Sequence, residues 1–427
     1  MRPTSHAAKQ VAVIVDAYST GSRLANEFRR FDVACIHVQS SVHVPAEFVN
    51  GFVPGDFIRS FVVTDAAGIE EIAAELRGFD LLCVVAGTET GVEVADRLAA
   101  LLGLPGNDPR TSHLRRDKYE MHAQLEKSGL STLRQARCAT MAEALAWANA
   151  LQCWPVVVKP LSSGGADGVT FCHDTVDVAA AVDGALGKRN RLGNINTAVV
   201  LQEKIHGQQF IVNAVSMEGR HYVSEVWKDD KIAVAGAPLV CDREILLSPE
   251  CDPIKDLCRY TTACLDALGI REGPSHTELF LTDQGELMLI ETAARMQGPI
   301  DHESVLEATG HSHVTLTVLR HVRPSTFAQL FALPYRRKKH LHCVTLSATS
   351  VGTLKENRCM ERLSSLTSFR ALIHAPQPGM RIQRTVDLFT NAGITYLSHD
   401  DEKVLESDYW RIRRWEADGE LFLMHKT

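Results

Sequence analysis

In the first third of the chain, runs of β-branched and other apolar residues alternate with stretches in which apolar positions recur every three or four residues. VAVIVDAY (11–18) reads as a strand, LANEFRRF (24–31) as a helix and VACIHVQS (33–40) as a second strand. FVVTD (61–65), IEEIAAELRGF (69–79), LLCVVAG (81–87) and EVADRLAALLG (93–103) repeat the alternation. Strands separated by amphipathic helices predict an open parallel α/β sheet over residues 1–111. Helical patterns follow at 116–129, stopped by Gly129, and at 141–151. The pattern then changes: strand WPVVVKP (154–160) ends at a proline, LSSGGADG (161–168) is a loop, VTFCH (169–173) is a strand, and a short helix precedes strands at 198–205 and 210–217. This order predicts a small two-layer unit over about 152–217, placed to act as a lid within a region spanning 112–330. A hairpin at 276–291 and a helix at 302–310 complete that region. A mixed part with many short strands and turns occupies 331–427, so the fold class expected is a multidomain α/β and α+β chain.

Composition narrows the function. The net charge is −7, and no basic run with interleaved aromatics marks a nucleic-acid surface. No apolar stretch approaches the ~18 residues of a membrane span, so a cytoplasmic protein acting on small molecules is expected. The chain has 11 cysteines and no CxxC pair, and most stand in apolar stretches, as Cys83, Cys258 and Cys264 do; they read as reduced core residues. DAYSTGSRLA after the first strand lacks the glycine spacing of a dinucleotide fingerprint. In open α/β sheets ligands bind beyond the carboxyl ends of strands, which nominates Glu89 after LLCVVA; a helix-start acid favoured by the dipole is the competing reading.

The segment TELFLTDQGELMLIE carries the sharpest chemistry. Folded about Gln284-Gly285 with a two-residue turn, it sets Asp283 opposite Glu286, Leu279 opposite Ile290 and Glu278 opposite Glu291. Opposed side chains have Cβ atoms roughly 4.5–5.5 Å apart. Two carboxylates that close, among Leu, Phe, Met and Ile, call for a cation between them, and Mg²⁺ is held by one or two carboxylates together with substrate phosphates. A three-residue turn would slip the register and turn one acid to the other face. Lys159 ends a buried strand just before Ser162, Ser163, Gly164, Gly165 and Gly168, a loop whose N–H groups can converge on an anion. Lys118 stands at a helix start behind Asp117, and QEKIHGQQF (202–210) sets polar residues around Ile205 at a strand crossing.

Taken in order, RDKYEM, WPVVVKPLSSGGADGV, VLQEKIHGQQF and HTELFLTDQGELMLIETAAR resemble the motifs of the ATP-grasp superfamily of carboxylate–amine ligases, over about residues 10–320. The resemblance implies an ATP-grasp fold in which Lys118 and Lys159 contact ATP phosphates and the 162–168 loop closes over them. It implies that Gln202, Glu203 and Ile205 form the adenine hinge and that Glu278 and Glu291 bind Mg²⁺, with Mn²⁺ the alternative ion. Gln209 stands where many relatives carry a ribose-binding glutamate, and Ala293 where many carry an asparagine. HTE (276–278) with IETAARMQG (290–298) is most similar to L-amino acid ligases, dipeptide synthetases that act in antibiotic biosynthesis. In that reading Arg295 faces the reacting phosphate and carboxylate, His276 holds the acceptor substrate or is structural, and Pro299 with the loop around Glu89 bounds the first substrate. The implied activity joins two amino acids through an acyl phosphate, releasing ADP and phosphate. Ligation of another acid and amine, carboxylation with bicarbonate, or nucleotide binding without catalysis are the alternatives. His311 and His313 read as solvent-exposed helix-end residues, and the C-terminal region as a cap over the site or a homodimer surface.

Overall fold

A computed structural model describes residues 9–44, 49, 51–165, 167–234, 237–386 and 390–425. The first sheet is formed by β1 (Val11–Val15), β2 (Ala34–Gln39), β3 (Arg59–Val62) and β4 (Leu81–Ala86), all parallel in the order β3-β2-β1-β4. Every residue of β1 is buried, as a central strand covered on both faces demands. The loops that follow β1 and β4 touch: a Cβ on Gly87 would lie 2.3 Å from the Asp16 carbonyl oxygen. Only glycine allows that approach.

A second, antiparallel sheet has the order β5-β8-β6-β7, built from β5 (Gln135–Cys138), β6 (Val156–Pro160), β7 (Thr170–Cys172) and β8 (Val199–Glu203). Helices Met141–Leu151 and Thr175–Ala185 pack on it through Ala144, Ala148, Val178 and Val182. The first of these opens with a capping box between Thr140 and Glu143.

The third sheet is the scaffold of the cleft. It runs β13-β12-β9-β10-β11-β14-β18-β16 and contains β9 (Gly207–Met217), β10 (Arg220–Val234), β11 (Ala237–Leu246), β12 (Gly273–Thr282), β13 (Leu287–Ala293), β14 (His340–Thr345), β16 (Phe369–Ile373) and β18 (Ile394–His399). Two groupings from the sequence change here. Strand 210–217, grouped above with the lid, is β9 of this sheet, because it finds ladder partners on both sides in β10 and β12. The small sheet begins earlier, at β5. The C-terminal region is likewise not set apart, since β14 pairs with β11 and carries β18 and β16 with it. A three-stranded sheet of β15 (Gly352–Asn357), β17 (Arg381–Ile382) and β19 (Phe422–Met424) packs with helix Glu402–Ala417 beyond it. Among the described residues, no helix is long and apolar enough to cross a membrane.

β8 passes to β9 through Lys204, Ile205 and His206, and the crossing depends on Gly207. Its φ is +148°, and a Cβ there would stand 2.1 Å from the Leu281 carbonyl oxygen. Gly207→Ala is therefore expected to destabilise the protein by about 2 kcal/mol or more, read as a lower apparent Tm. Gly285→Ala, where a Cβ meets nothing within 4 Å and only the positive φ is strained, should lower Tm less.

Candidate active site

Glu278 on β12 faces Glu291 on β13, with Thr277 opposite Thr292 and His276 opposite Ala293. The route to that pairing differs from the simplest hairpin. Thr282 N–H donates to the Glu286 carbonyl at 2.8 Å and Gly285 N–H to the Thr282 carbonyl at 2.9 Å, so the loop Asp283-Gln284-Gly285 has three residues. Gly285 takes the left-handed conformation at φ +82°. Asp283 consequently does not face Glu286, and Leu279 pairs with Leu289 instead of Ile290. Ile290 is the extra residue of a bulge between the Glu278 and Leu279 pairs. The longer turn slips the register by one and the bulge restores it, which returns both carboxylates to one face.

Cations and amides surround the pair. Lys118 Nζ lies 2.6 Å from Glu291 Oε2 and donates to the Ser163 carbonyl at 2.8 Å. Gln209 Nε2 donates to Glu278 Oε2 at 2.9 Å, and His276 Nε2 lies 3.3 Å from Glu278 Oε1. Burial alone would raise the Glu278 carboxyl; the hydrogen bond and charge of His276, with Lys231 and Arg295 adding to them, hold it below its usual range. Lys159 is buried, and burial together with the neighbouring Lys118 charge lowers its ammonium to about 8, against the opposing pull of Glu291 and Glu278. Lys118 owes its place to helix Lys118–Lys127, whose N-cap Asp117 accepts from the Tyr119 and Glu120 N–H groups. Its own N–H donates to the Leu161 carbonyl at 2.9 Å.

These groups line a cleft of about 310 Å³ between the small sheet and the eight-stranded sheet. Ser163, Gly164 and Gly165 form its loop wall, and Gln202, Glu203, Ile205 and Gln209 its crossing wall. Ser163 Oγ donates to Asp167 Oδ2 at 2.6 Å, bracing the loop across residue 166, which lies outside the described residues. Ser162 and Gly168 are not in the lining: the Ser162 carbonyl accepts from Asn190 Nδ2 at 2.8 Å, and Gly168 abuts the Pro160 ring. Gln202 is 1% exposed, its Nε2 donating to Gln135 Oε1 at 3.1 Å, and Glu203 binds Arg134 Nε at 2.6 Å.

Arg295 lines the opposite side. Its Nε donates to Glu89 Oε2 at 2.9 Å and its Nη1 to the Met296 carbonyl at 2.9 Å. Glu89 also binds Arg116, so this helix-start acid joins the first sheet to the cleft without lining it. Burial would raise the Glu89 carboxyl, but Arg116 and Arg295 with Lys118 overcome that and hold it at about 2. Pro299 is half-buried outside the lining, next to Ile300, whose N–H donates to Thr20 Oγ1 at 3.3 Å. His313 is fully buried, correcting the expectation of a solvent-exposed helix end: Ser312 caps helix His313–Val322 and turns the imidazole inward, where Nε2 lies 3.0 Å from the Ala214 carbonyl. Burial pushes its pKa down to about 3.

The sequence reading passed over Asp229, Lys231, Glu244, Gln297 and Asn213. Strand alternation carries the signal for most of them. Gln209, Ile211 and Asn213 share a face of β9; Ile211 pairs with Glu278, and Gln209 pairs with Asp229, which pairs with Glu244. A single face of the sheet thus bears two carboxylate pairs with β9 between them. Lys231 Nζ lies 2.7 Å from Asp229 Oδ2.

Fold and cleft define the class as an ATP-grasp protein, and residues 152–301 match the family model of the ATP-grasp domain. That stretch forms an ATP-grasp domain. Over 416 residues it is 29% identical to dapdiamide A synthase of Enterobacter agglomerans, covering 96% of each chain. It is 23% identical over 218 residues to the L-arginine-specific L-amino acid ligase of Bacillus subtilis, covering 50% of this chain and 51% of that one. The fold superposes on the crystal structure of an L-amino acid ligase from Bacillus licheniformis with a TM-score of 0.78, at 19% identity, covering 98% and 99% of the two chains.

Because the Glu89 carboxyl is depressed, its stabilisation is present above the unfolded value near 4.5 and is lost as pH falls toward about 2. Glu89→Gln is expected to cost about 3 kcal/mol at pH 7, and the difference from wild type should shrink below pH ~4.5. Apparent Tm measured for both proteins across pH 3–8 checks this; a gap independent of pH would count against it.

Proposed function

We propose that the chain is an ATP-dependent ligase that joins the carboxylate of one L-amino acid to the amine of another, through an acyl phosphate, releasing ADP and phosphate. The observation that carries this reading is the Glu278–Glu291 pair, held face to face beside two buried lysines and a glycine loop, with Arg295 across the same cleft. The relatives bearing ligase and synthase names over whole or half chains support it. In this reading Lys118, Lys159 and the loop through Ser163, Gly164 and Gly165 take the phosphates. Ser162 and Gly168 shape that loop, while Gln202, Glu203 and Ile205 take the adenine.

The donor set fits Mg²⁺. Two opposed carboxylates, one met by a lysine and the other by an amide and an imidazole, suit an ion that shares its coordination with phosphates. Glu278 and Glu291 would hold it, Mn²⁺ being accepted by the same oxygens. Bound there, it would supply charge neutralisation at the polyphosphate. Ala293 offers no polar atom where many relatives have one, but His276 stands directly opposite it. Gln209, as a neutral amide, donates to Glu278 where a glutamate would repel it.

The chain's own residues do the rest by position and charge. Lys118 and Lys159 draw the γ-phosphate toward the attacking carboxylate. Arg295, its Nε fixed by Glu89 and its Nη1 by the Met296 carbonyl, meets the charge that grows on the acyl phosphate and then on the tetrahedral oxyanion. Closure of the small sheet over the cleft keeps water from the acyl phosphate. Glu89 and Pro299 stand outside the lining, so Glu89 acts on the first amino acid's place through the Arg295 it fixes.

Mass spectrometry of a reaction with ATP, Mg²⁺ and pooled L-amino acids should show a condensed pair and equimolar ADP. AMP formation, or ATP hydrolysis without an amide, would refute the assignment. Glu278→Gln should lower turnover at least ~100-fold. Nucleotide binding should also report on Lys159: phosphates raise its depressed ammonium, so a proton is taken up near pH 8 and affinity falls as pH rises beyond it. Calorimetry in two buffers of different ionisation heat should detect that proton, and Lys159→Arg should abolish its uptake.

A further inference from the structure

Among the described residues six acids line the cleft, four of them beside a lysine or arginine and a fifth, Glu278, beside an imidazole. Glu203 binds Arg134 at 2.6 Å, Asp167 lies 3.6 Å from Arg191, Asp229 binds Lys231 at 2.7 Å, Glu278 lies 3.3 Å from His276, and Glu291 binds Lys118 at 2.6 Å. Glu244 differs. Its only side-chain hydrogen bond among the described residues comes from a neutral amide, Gln297 Nε2 donating to Oε2 at 2.9 Å, and the residue is part-exposed in the cleft lining. Glu244 stands on the same sheet face as the Glu278–Glu291 pair.

The position is rigid. Gln297 Oε1 accepts from Asn213 Nδ2 at 2.6 Å, and the same nitrogen donates to Glu225 Oε1 at 2.8 Å. Two acceptors on Nδ2 leave Asn213 Oδ1 to accept from His276 Nδ1 at 2.9 Å. A directed chain of hydrogen bonds therefore runs from His276, beside Glu278, to Glu244. Burial and the charge of Asp229 raise the Glu244 carboxyl, with Lys231 and Gln297 acting against them, so the group is ready to hold a proton.

We propose that Glu244 receives the ammonium of the acceptor amino acid and takes its proton as the nitrogen attacks the acyl carbon. This inference rests on the ligase reading above. The ammonium gives one proton to Glu244, and the freed electron pair forms the N–C bond. The C–O bond to phosphate then breaks, phosphate leaves with that electron pair, and it carries off the second proton from nitrogen. The other carboxylates of the cleft lining are each met by a lysine or an arginine or, at Glu278, by an imidazole and an amide together, which makes them poorer bases.

Hydroxylamine separates this step from the first, since it is uncharged at neutral pH and needs no proton removed before attack. With ATP, Mg²⁺ and the first amino acid, Glu244→Gln should form hydroxamate and ADP within about threefold of wild type, while dipeptide formation falls at least ~100-fold. Glu244→Asp, which keeps the charge but withdraws it by one methylene, should show the same split to a smaller degree. Unchanged apparent Tm with MgATP checks folding of both variants. Parallel loss of hydroxamate and dipeptide in well-folded variants, or dipeptide formation near wild type, would overturn the role of Glu244. Wild-type protein forming neither product would overturn the ligase reading itself.

Discussion

Two carboxylates opposed across an antiparallel ladder at roughly 5 Å repel by about 3 kcal/mol at an effective dielectric near 20. The hairpin keeps Glu278 and Glu291 in that arrangement only because its surroundings offset the repulsion. Lys118 sits on one acid, Gln209 and His276 on the other, and Lys159 lies buried beside both. Each of these groups comes from a different part of the chain: a helix start, a central strand, the same strand as Glu278, and the small sheet. The pair therefore sets where four elements must meet. The Ile290 bulge belongs to the same requirement, for without it the three-residue turn would aim one acid away from the cleft.

The eight-stranded sheet then organises charge by alternation. Along β9, Gln209, Ile211 and Asn213 share the sheet face that carries the cleft, so the strand between the two carboxylate pairs brings no acid of its own there. Its two amides instead donate to acids on either side: Gln209 to Glu278, and Asn213 to Glu225 and, through Gln297, toward Glu244. An amide with fixed donor and acceptor ends passes orientation from one acid to the next without adding charge. Such a wall carries high negative charge density, and Glu244 is the acid of the cleft lining whose side-chain hydrogen-bond partner among the described residues is a single neutral amide.

How much of this was legible follows from how local each signal is. Strands β1, β2 and β4 and helix 141–151 are written in runs and caps a few residues long, and they form where the pattern puts them. The Glu278–Glu291 pairing was legible because both strands lie in one hairpin; the compensating bulge was not, since turn length and bulge cancel in the final register. β9 was misplaced because its neighbours, β10 and β12, are fixed by long-range pairing that no local run announces. Asp229 and Glu244 carry no local mark in the sequence, and only the sheet brings them into the same row as Gln209. His313 shows the converse, a polar residue at a helix start that tertiary packing buries.

Lys118 gives the free protein a built-in stand-in for a metal. Its ammonium bridges Glu291 and the carbonyl of Ser163, tying the carboxylate pair to the glycine loop. A nucleotide arriving without a divalent ion would bring its phosphates against two acids whose only direct lysine is already committed to both walls. In the ligase reading, Glu278 and Glu291 would hold a divalent ion that offsets their charge, and the Lys118 ammonium would then be free to meet the phosphates. A Lys118 turned that way would also release the Ser163 carbonyl. On that reading the contact of Lys118 with Glu291 and the seating of nucleotide with its ion would exclude each other, which couples the acid pair to the glycine loop.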